Sequence, residues 1–555
     1  MSRTNPFETA TAYGLLAAVA ARHGEREAIV LGDERVTFAD FLTRVDTLAA
    51  GLTALGLGKG DSLAIWLPNR PGWFVAQYAA ARLGIVVVAL NPRYRAHELG
   101  YILGQSKATA LLVTDHLGPI DYFETLHQVI PELATAVPGE LASAALPHLR
   151  HVLVDAEDPY PGCHALGDLF VAGSASTDRN VGGLAEMGGG SGGSVDDVFT
   201  LLYTSGTTSF PKGAMISHRN CVPHGWNTGE QLRLTPEDRV LLAMPAAGTW
   251  GGLNIPLSTW SHGATLILMD VWDPLRALML IEQERCTVLH AVDTMLKPMF
   301  EHPDFDRYDH STLRTGGFAS VGGGGPAMFD AVIKRLGVAQ AFQPYGMTEV
   351  NALALFHDLD EPLELRAQPG IIPPPGLEVR VVHPDTGRSC AADEEGELQF
   401  RGPLVTRGYF DKPEETRAAF TEDGWFRTGD LAAHDGHGHT VFKGRLKETL
   451  RISHFMVAPG EIEAYLSTHP DVEQAFVVGV PDPEMNEVPV AYVIPRPDAR
   501  PSEDELRAFC RGKIASYKIP RHVRFVADVP RTPSPHGDKV QRVKLRELAR
   551  QEFAS

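Results

Sequence analysis

Five short runs of the chain are apolar at nearly every position: SLAIWLP (62–68), GIVVVAL (84–90), ALLVTD (110–115), TLILMD (265–270) and EVRVV (378–382). A strand with one wetted face alternates polar and apolar residues. A strand apolar throughout is covered on both faces, the condition of a mostly parallel sheet flanked by helices. Helical stretches separate the runs. VAQYAAARLG (75–84) is one, with Gly84 placed to close it, because glycine takes the left-handed turn at a helix end at little cost. The expected class is α/β, with mostly parallel sheets in a large, multi-lobed N-terminal part.

Near residue 445 the texture changes. Pro459 in APGEIEAYL suits the first turn of a helix. EQAFVVGV (473–480) reads as a strand, and Ser502 and Glu505 have capping-box spacing. A small α+β domain of about 110 residues is expected there. No internal repeat is visible. One stretch, EMGGGSGGSVDD (186–197), has the composition of a flexible surface linker. It precedes VFTLLY (198–203), an expected strand.

Charge narrows the partners. The chain has 69 acidic against 50 basic residues among 555, a formal net charge of -19. Nucleic-acid binding and steady adhesion to anionic membranes both call for a basic surface, so neither is expected. The five cysteines (163, 221, 286, 390 and 510) lie far apart with no metal-ligand or redox spacing. They read as reduced thiols of a cytoplasmic protein. The N-terminal apolar run is short and broken by Arg22 and His23, unlike a signal peptide. No run approaches the length of a membrane span.

The stretch YTSGTTSFPKG (203–213) follows the expected strand and sets hydroxyls and a glycine in front of a lysine. Small residues let backbone N–H groups converge on an anion, hydroxyls donate further hydrogen bonds, and a lysine adds a point charge. It is not a Walker A loop, which needs glycine before the lysine and a hydroxyl after it. Here Pro211 precedes Lys212 and Gly213 follows. A polar surface turn is the plain alternative.

The stretch resembles the phosphate-binding signature YTSGTTGxPKG of the acyl-adenylate-forming superfamily, which includes acyl-CoA synthetases, firefly-type luciferases and stand-alone adenylation domains. Ser209 stands where that family prefers glycine. The resemblance implies nucleotide contacts from Thr204, Ser205, Gly206, Thr207, Thr208 and Lys212. Further motifs follow in the family's order. In YGMTE (345–349) it implies Tyr345 and Gly346 beside the adenine, Thr348 at the phosphates and Glu349 as a ligand of Mg²⁺. An aromatic face suits a purine, and a carboxylate suits a hard cation. GELQFRGPLVTRGYF (396–410) and DGWFRTGDL (423–431) follow, and Asp430 takes the place that accepts the ribose hydroxyls. In GRLKETLRISHFMVAPGEIE (444–463), Arg445 is the implied nucleotide contact and Lys447 the pivot of a mobile C-terminal domain. This divides the chain into an ATP- and acid-binding domain (1–444), a hinge (445–448) and a C-terminal domain (449–555). Ser453 and His454 stand where the family usually has a glycine pair along the path of the CoA pantetheine.

The last motif is PRTPSPHGDKVQRVKLREL (530–548), longer than the family form PRTPSGKVQRxKLREL. Lys539 matches the lysine that bridges carboxylate and α-phosphate. The other basic residues there read as the solvated face of a helix. For the acid pocket the resemblance points to Gly248 and Trp250 in PAAGTWGG (245–252), to HAVDTML (290–296), and to Gly317 and Gly322 in GGFASVGGGGPAM (316–328). NPRYRAHELGYILGQSKATALLV (91–113) also resembles bacterial fatty-acyl CoA synthetases. The implied catalytic set is Lys539, Thr348, Glu349 and Lys447. The implied activity is ATP-dependent ligation of a medium or long aliphatic acid to coenzyme A, with AMP and pyrophosphate released. Aromatic or alicyclic acids are the next choice. ATP, Mg²⁺ and coenzyme A are the expected cofactors, and a homodimer is left open. Two alternatives remain: transfer of the acyl group to a carrier-protein thiol, and a weakly catalytic nucleotide-binding protein.

Overall fold

The computed structural model describes residues 4–179, 193–204, 211–319, 325–452, 455–532 and 539–553. Two mostly parallel sheets form the large N-terminal domain. The first runs in the order 212–217, 198–204, 86–89, 62–66, 110–114, 151–155 and 163–165. All its pairings are parallel except the hairpin between Val198–Thr204 and Lys212–Ser217. The second sheet has eight strands, including 239–242, 265–268, 288–289, 315–319 and 340–342, and it too is parallel apart from one hairpin at Glu27–Leu31 and Glu34–Thr37. The helix Pro71–Leu83 touches strands of both sheets, and its residues from Trp73 to Ala81 are all buried. Trp260 gathers Phe41, Phe74 and Tyr78 around itself at ring separations of 5.0 to 5.4 Å. Continuous apolar strands are needed because both sheet faces are covered.

Gly84 closes the helix Pro71–Leu83 in the left-handed conformation (φ 69°), donating its N–H to Ala80 and Ala81 carbonyls. The run EVRVV departs from expectation. It forms an edge strand of a separate four-stranded antiparallel sheet, 378–382, 396–401, 426–434 and 440–445. Its positions 378 to 380 are exposed or half-buried while Val381 and Val382 are buried, so it is wetted at its N-terminal end. The expected linker is also corrected at its C-terminal end. Residues 186–192 lie outside the described residues, but 193–197 form an anchored turn. Asp197 accepts from the Ser194 N–H and pairs with Lys59 at 2.7 Å, while Arg219 grips Asp196 through two nitrogens.

The smaller C-terminal domain is a five-stranded sheet with helices Pro459–Leu466, Glu503–Cys510 and Arg542–Phe553. Pro459 opens its helix, and Ser502 and Glu505 form the capping box. Strand Thr440–Arg445 belongs to the antiparallel sheet. One turn, Leu446–Glu448, leads to Leu450–Ile452 in the C-terminal sheet. All five cysteines are free thiols, four of them buried. Among the described residues no helix is long and apolar enough to cross a membrane.

Candidate active site

The hairpin that carries YTSGTTSFPKG pairs Thr204 with Lys212 and Tyr203 with Gly213. Residues Ser205, Gly206, Thr207 and Thr208 lie outside the described residues. Both ends of the turn are held. The Tyr101 hydroxyl donates to the Pro211 carbonyl at 3.1 Å, and the Tyr203 hydroxyl binds Gln105. A Cβ at Gly213 would sit 3.1 Å from the Tyr203 ring, so only glycine fits without movement.

Segment 404–410 lies along this hairpin. Met215 N–H donates to the Gly408 carbonyl at 2.9 Å and Phe410 N–H to the Gly213 carbonyl at 2.8 Å. Tyr409 is thereby set between two motifs. Lys212 Nζ lies 4.7 Å from its ring centroid, a cation–π contact, and its hydroxyl donates to Glu349 Oε1 at 2.9 Å. Thr406 N–H donates to the Glu349 carbonyl at 2.7 Å. Asn351, left-handed at φ 59°, donates to the carbonyls of Asn220 and Leu404, and Asn220 donates to those of Pro403 and Val405. The 198–217 hairpin, the YGMTE turn and the 404–410 segment are therefore one hydrogen-bonded unit. Gly346 allows it: a Cβ there would stand 1.4 Å from the Ala352 carbonyl oxygen.

A second cluster adjoins. Tyr345 donates its hydroxyl to Asp430 Oδ2 at 2.5 Å, and Arg445 Nη1 pairs with Asp430 Oδ1 at 2.8 Å. Asp430 and Arg445 are direct cross-strand partners. Asp430 is 1% exposed. Burial outweighs its cation and its hydrogen bond and raises its pKa to about 6. The Tyr345 ring packs 5.0 Å from Phe442.

The residues expected to line an acid pocket partly converge. Trp250 opens a π-helical turn, Trp250–Asn254, of the wide-pitch kind often found at functional sites. Gly251 and Gly252 let that turn fold back onto the carbonyls of Pro245 and Ala246. The Trp250 ring is 5.5 Å from that of His290, and a Cβ on Gly317 would lie 3.2 Å from Trp250. His290 Nδ1 accepts the Gly317 N–H at 3.0 Å, and burial lowers its pKa to about 3, which keeps it neutral. Gly248 sits two residues before Trp250, half-buried, its N–H on the Pro245 carbonyl. Gly322 lies outside the described residues.

Around Lys447 is a cleft of about 630 Å³ lined by Gly429, Lys447, Arg451, Glu487 and Arg546 among others. Thr348 opens the short turn that presents Glu349. Ser453 and His454 lie outside the described residues. Lys539 pairs with Thr532 in a short ribbon, 531–532 with 539–540. That ribbon's Arg531 binds Gln474, whose neighbour Glu473 pairs with Lys297 at 3.3 Å. Lys297 lies on the helix Asp293–Phe300, just past His290. The basic C-terminal helix is not simply a solvated face, as its composition suggested. Arg542 pairs with Glu463 at 2.5 Å and Glu448 at 3.1 Å, and Arg546 donates to the carbonyls of Lys447 and Glu448. Sequence reasoning also passed over Tyr409, Asn351 and Asn220. Tyr409 lay inside a quoted motif but carried no signal beyond being aromatic.

The AMP-binding enzyme family matches residues 16–410, and its C-terminal domain matches residues 461–535. The chain is 38% identical to YngI of Bacillus subtilis, a provisionally named acyl-CoA synthetase, over 96% of both proteins. It is 35% identical to the human mitochondrial medium-chain acyl-CoA ligase ACSF2, over 96% of this chain and 86% of that protein. Among solved structures it matches ATP-bound MatB from Rhodopseudomonas palustris with a TM-score of 0.79, at 27% identity over 98% of this chain and 99% of that one. The anthranilate CoA ligase AuaEII, with anthranoyl-AMP, has the same fold: TM-score 0.80, 24% identity and full coverage of both chains. The chain belongs to the AMP-binding enzyme family, among its AMP-forming acyl-CoA synthetases.

Proposed function

We propose that this enzyme joins a medium- or long-chain carboxylic acid to coenzyme A in two half-reactions at one site. The observation that carries the reading is the joining of Lys212, Tyr409 and Glu349 into one line beside the Tyr345–Asp430–Arg445 cluster. A carboxylate oxygen of the acid attacks the α-phosphorus of ATP. The bond to the bridging oxygen breaks, and pyrophosphate leaves. The thiol of coenzyme A, losing its proton, then attacks the acyl carbon, the mixed-anhydride C–O bond breaks, and AMP leaves.

Negative charge builds on phosphate oxygens in the first step, so fixed cations lower its barrier. Lys212 is held for this by the Tyr409 ring, with Thr204 and Thr348 at the phosphates. Lys539 enters from the 531–540 ribbon. Tyr345 and Gly346 border the adenine. Each Asp430 oxygen has lone pairs beyond those used by Tyr345 and Arg445, enough for the ribose hydroxyls. Glu349 fits a Mg²⁺ site, since this ion takes one or two carboxylates beside phosphate oxygens and water. When bound it supplies charge neutralisation. The turn 445–448 between two sheets is the pivot about which the C-terminal domain reorients for the second step. Gly248, Trp250 and Gly317 line the acid pocket, and ACSF2's medium-chain activity supports an aliphatic substrate.

The test is mass spectrometry of products formed from MgATP and a panel of carboxylic acids, with and without coenzyme A. Acyl-CoA from a medium-chain acid supports the reading. Acyl-AMP without thioester would refute the second step and direct attention to residues 453–454 and another acceptor. No adenylate from any acid would refute the first.

A further inference from the structure

His224 lies within the helix His218–Gln231 that leaves the phosphate-loop hairpin, and it is 1% exposed. Neither of its ring nitrogens has a hydrogen-bond partner among the described residues. The Leu353 backbone beside it favours the protonated ring but does not meet the nitrogens in hydrogen-bond geometry. Burial dominates and lowers its pKa to about 4, so the imidazole is neutral at physiological pH. A buried polar group left unbonded is destabilising, so a protein retains one where something else uses it.

The surroundings show what it faces. The helix of His224 packs against the Trp250–Ser261 segment: Gly225 lies against Leu257 and Gly229 against His262. Asn254 donates to Thr228 Oγ1 at 3.0 Å, and Thr228 Oγ1 donates to the His224 carbonyl one turn earlier. His224 and Thr228 therefore share the helix face turned to the π-helical turn. On the other side the His224 ring is 5.9 Å from Phe356, which is 6.4 Å from Phe342. Phe342 is the cross-strand partner of Gly317, and Gly317 abuts Trp250. The contacts close a circuit from His224 back to His224 through the residues of the acid pocket. Two more buried polar atoms on it, Trp250 Nε1 and Asn254 Oδ1, also have no partner among the described residues. A wall for a plain alkyl chain has no use for three such groups.

We propose that His224 is a specificity-determining residue: the acyl portion of the acid carries a neutral hydroxyl or carbonyl group that hydrogen-bonds to the His224 imidazole. This rests on the ligase reading above and narrows its substrate class. A neutral imidazole has one donor and one acceptor nitrogen, so a hydroxyl can use either and a carbonyl can use the donor. Among the described residues no charged group acts on the His224 ring, so a second carboxylate would find no cation among them.

The experiment compares adenylate formation, read as pyrophosphate release, from decanoic and benzoic acids and from their hydroxy and oxo derivatives with the substituent at each position. Wild-type enzyme, His224→Leu and His224→Gln are used. At least one substituted acid is expected to exceed its parent at least tenfold in kcat/KM with the wild type. His224→Leu should bring that ratio within twofold of one, and His224→Gln should keep part of it. Since His224→Leu removes an unbonded buried group, its Tm should equal or exceed that of the wild type. Adenylate from the parent acids with no preferred derivative, or a preference that survives His224→Leu, overturns this proposal alone. No adenylate from any acid overturns the ligase reading and this proposal together.

Discussion

Replacing Asp430 with asparagine should separate stability from function. Asp430 is almost wholly buried, and its pKa of about 6 in the fold exceeds the ordinary carboxylate value of about 3.9. Below pH 4 the group is protonated in both the folded and unfolded chain. As pH rises toward 6 the unfolded chain releases the proton while the fold retains it, and stability falls. Above pH 6 both are ionised and the loss levels off. A gap of about 2 pH units corresponds to about 3 kcal/mol. Asp430→Asn keeps an acceptor for the Tyr345 hydroxyl and removes this pH-dependent loss. It also removes the ion pair with Arg445, whose side chain is 46% exposed. In urea titrations from pH 4 to 7, the variant should gain on the wild type by up to about 3 kcal/mol, mostly between pH 4 and 6. At pH 7 adenylate formation should fall, with a raised KM for ATP. A stability difference that does not change with pH, or that widens toward low pH, would refute the reasoning.

Tyr409→Phe keeps the ring over Lys212 but loses the hydroxyl on Glu349; it should cost about 1 kcal/mol of stability and slow adenylation at saturating Mg²⁺, measured by pyrophosphate release. Arg542→Ala leaves Glu463 and Glu448 without their partner and should destabilise the C-terminal domain by about 2–4 kcal/mol, read as earlier proteolysis of that part alone. Lys539→Ala should abolish adenylation while sparing thioester formation from a supplied acyl-adenylate; equal loss of both steps would sink the assignment.

The α/β class was legible because burial on both faces forces a continuous apolar run, and that condition is local. Gly84 and the Ser502–Glu505 cap were legible for the same reason: a helix end is settled within a few residues. EVRVV was misread because five residues do not reveal which neighbours cover them, and it proved to be the edge strand of an antiparallel sheet, wetted at its N-terminal end. Motif order in the sequence pointed to Lys212, Glu349, Tyr345, Asp430 and Arg445. What joins them was not legible. Tyr409 meets Lys212 and Glu349 from far along the chain, and Asn351 and Asn220 stitch backbone carbonyls that no spacing relates. Arg542 and Arg546 looked like a solvated face because a helix pattern does not show the carboxylates and carbonyls it will meet. His224 gave no signal, since a lone histidine in a helix is chemically ambiguous until its neighbours are known. The sequence by itself determined the covered strands, the capped helices and the order of the motifs, each decided by short-range sterics and hydrogen bonding. The tertiary structure decided which side chains share a space and which buried polar atoms go without a partner, because both depend on contacts between residues distant along the chain.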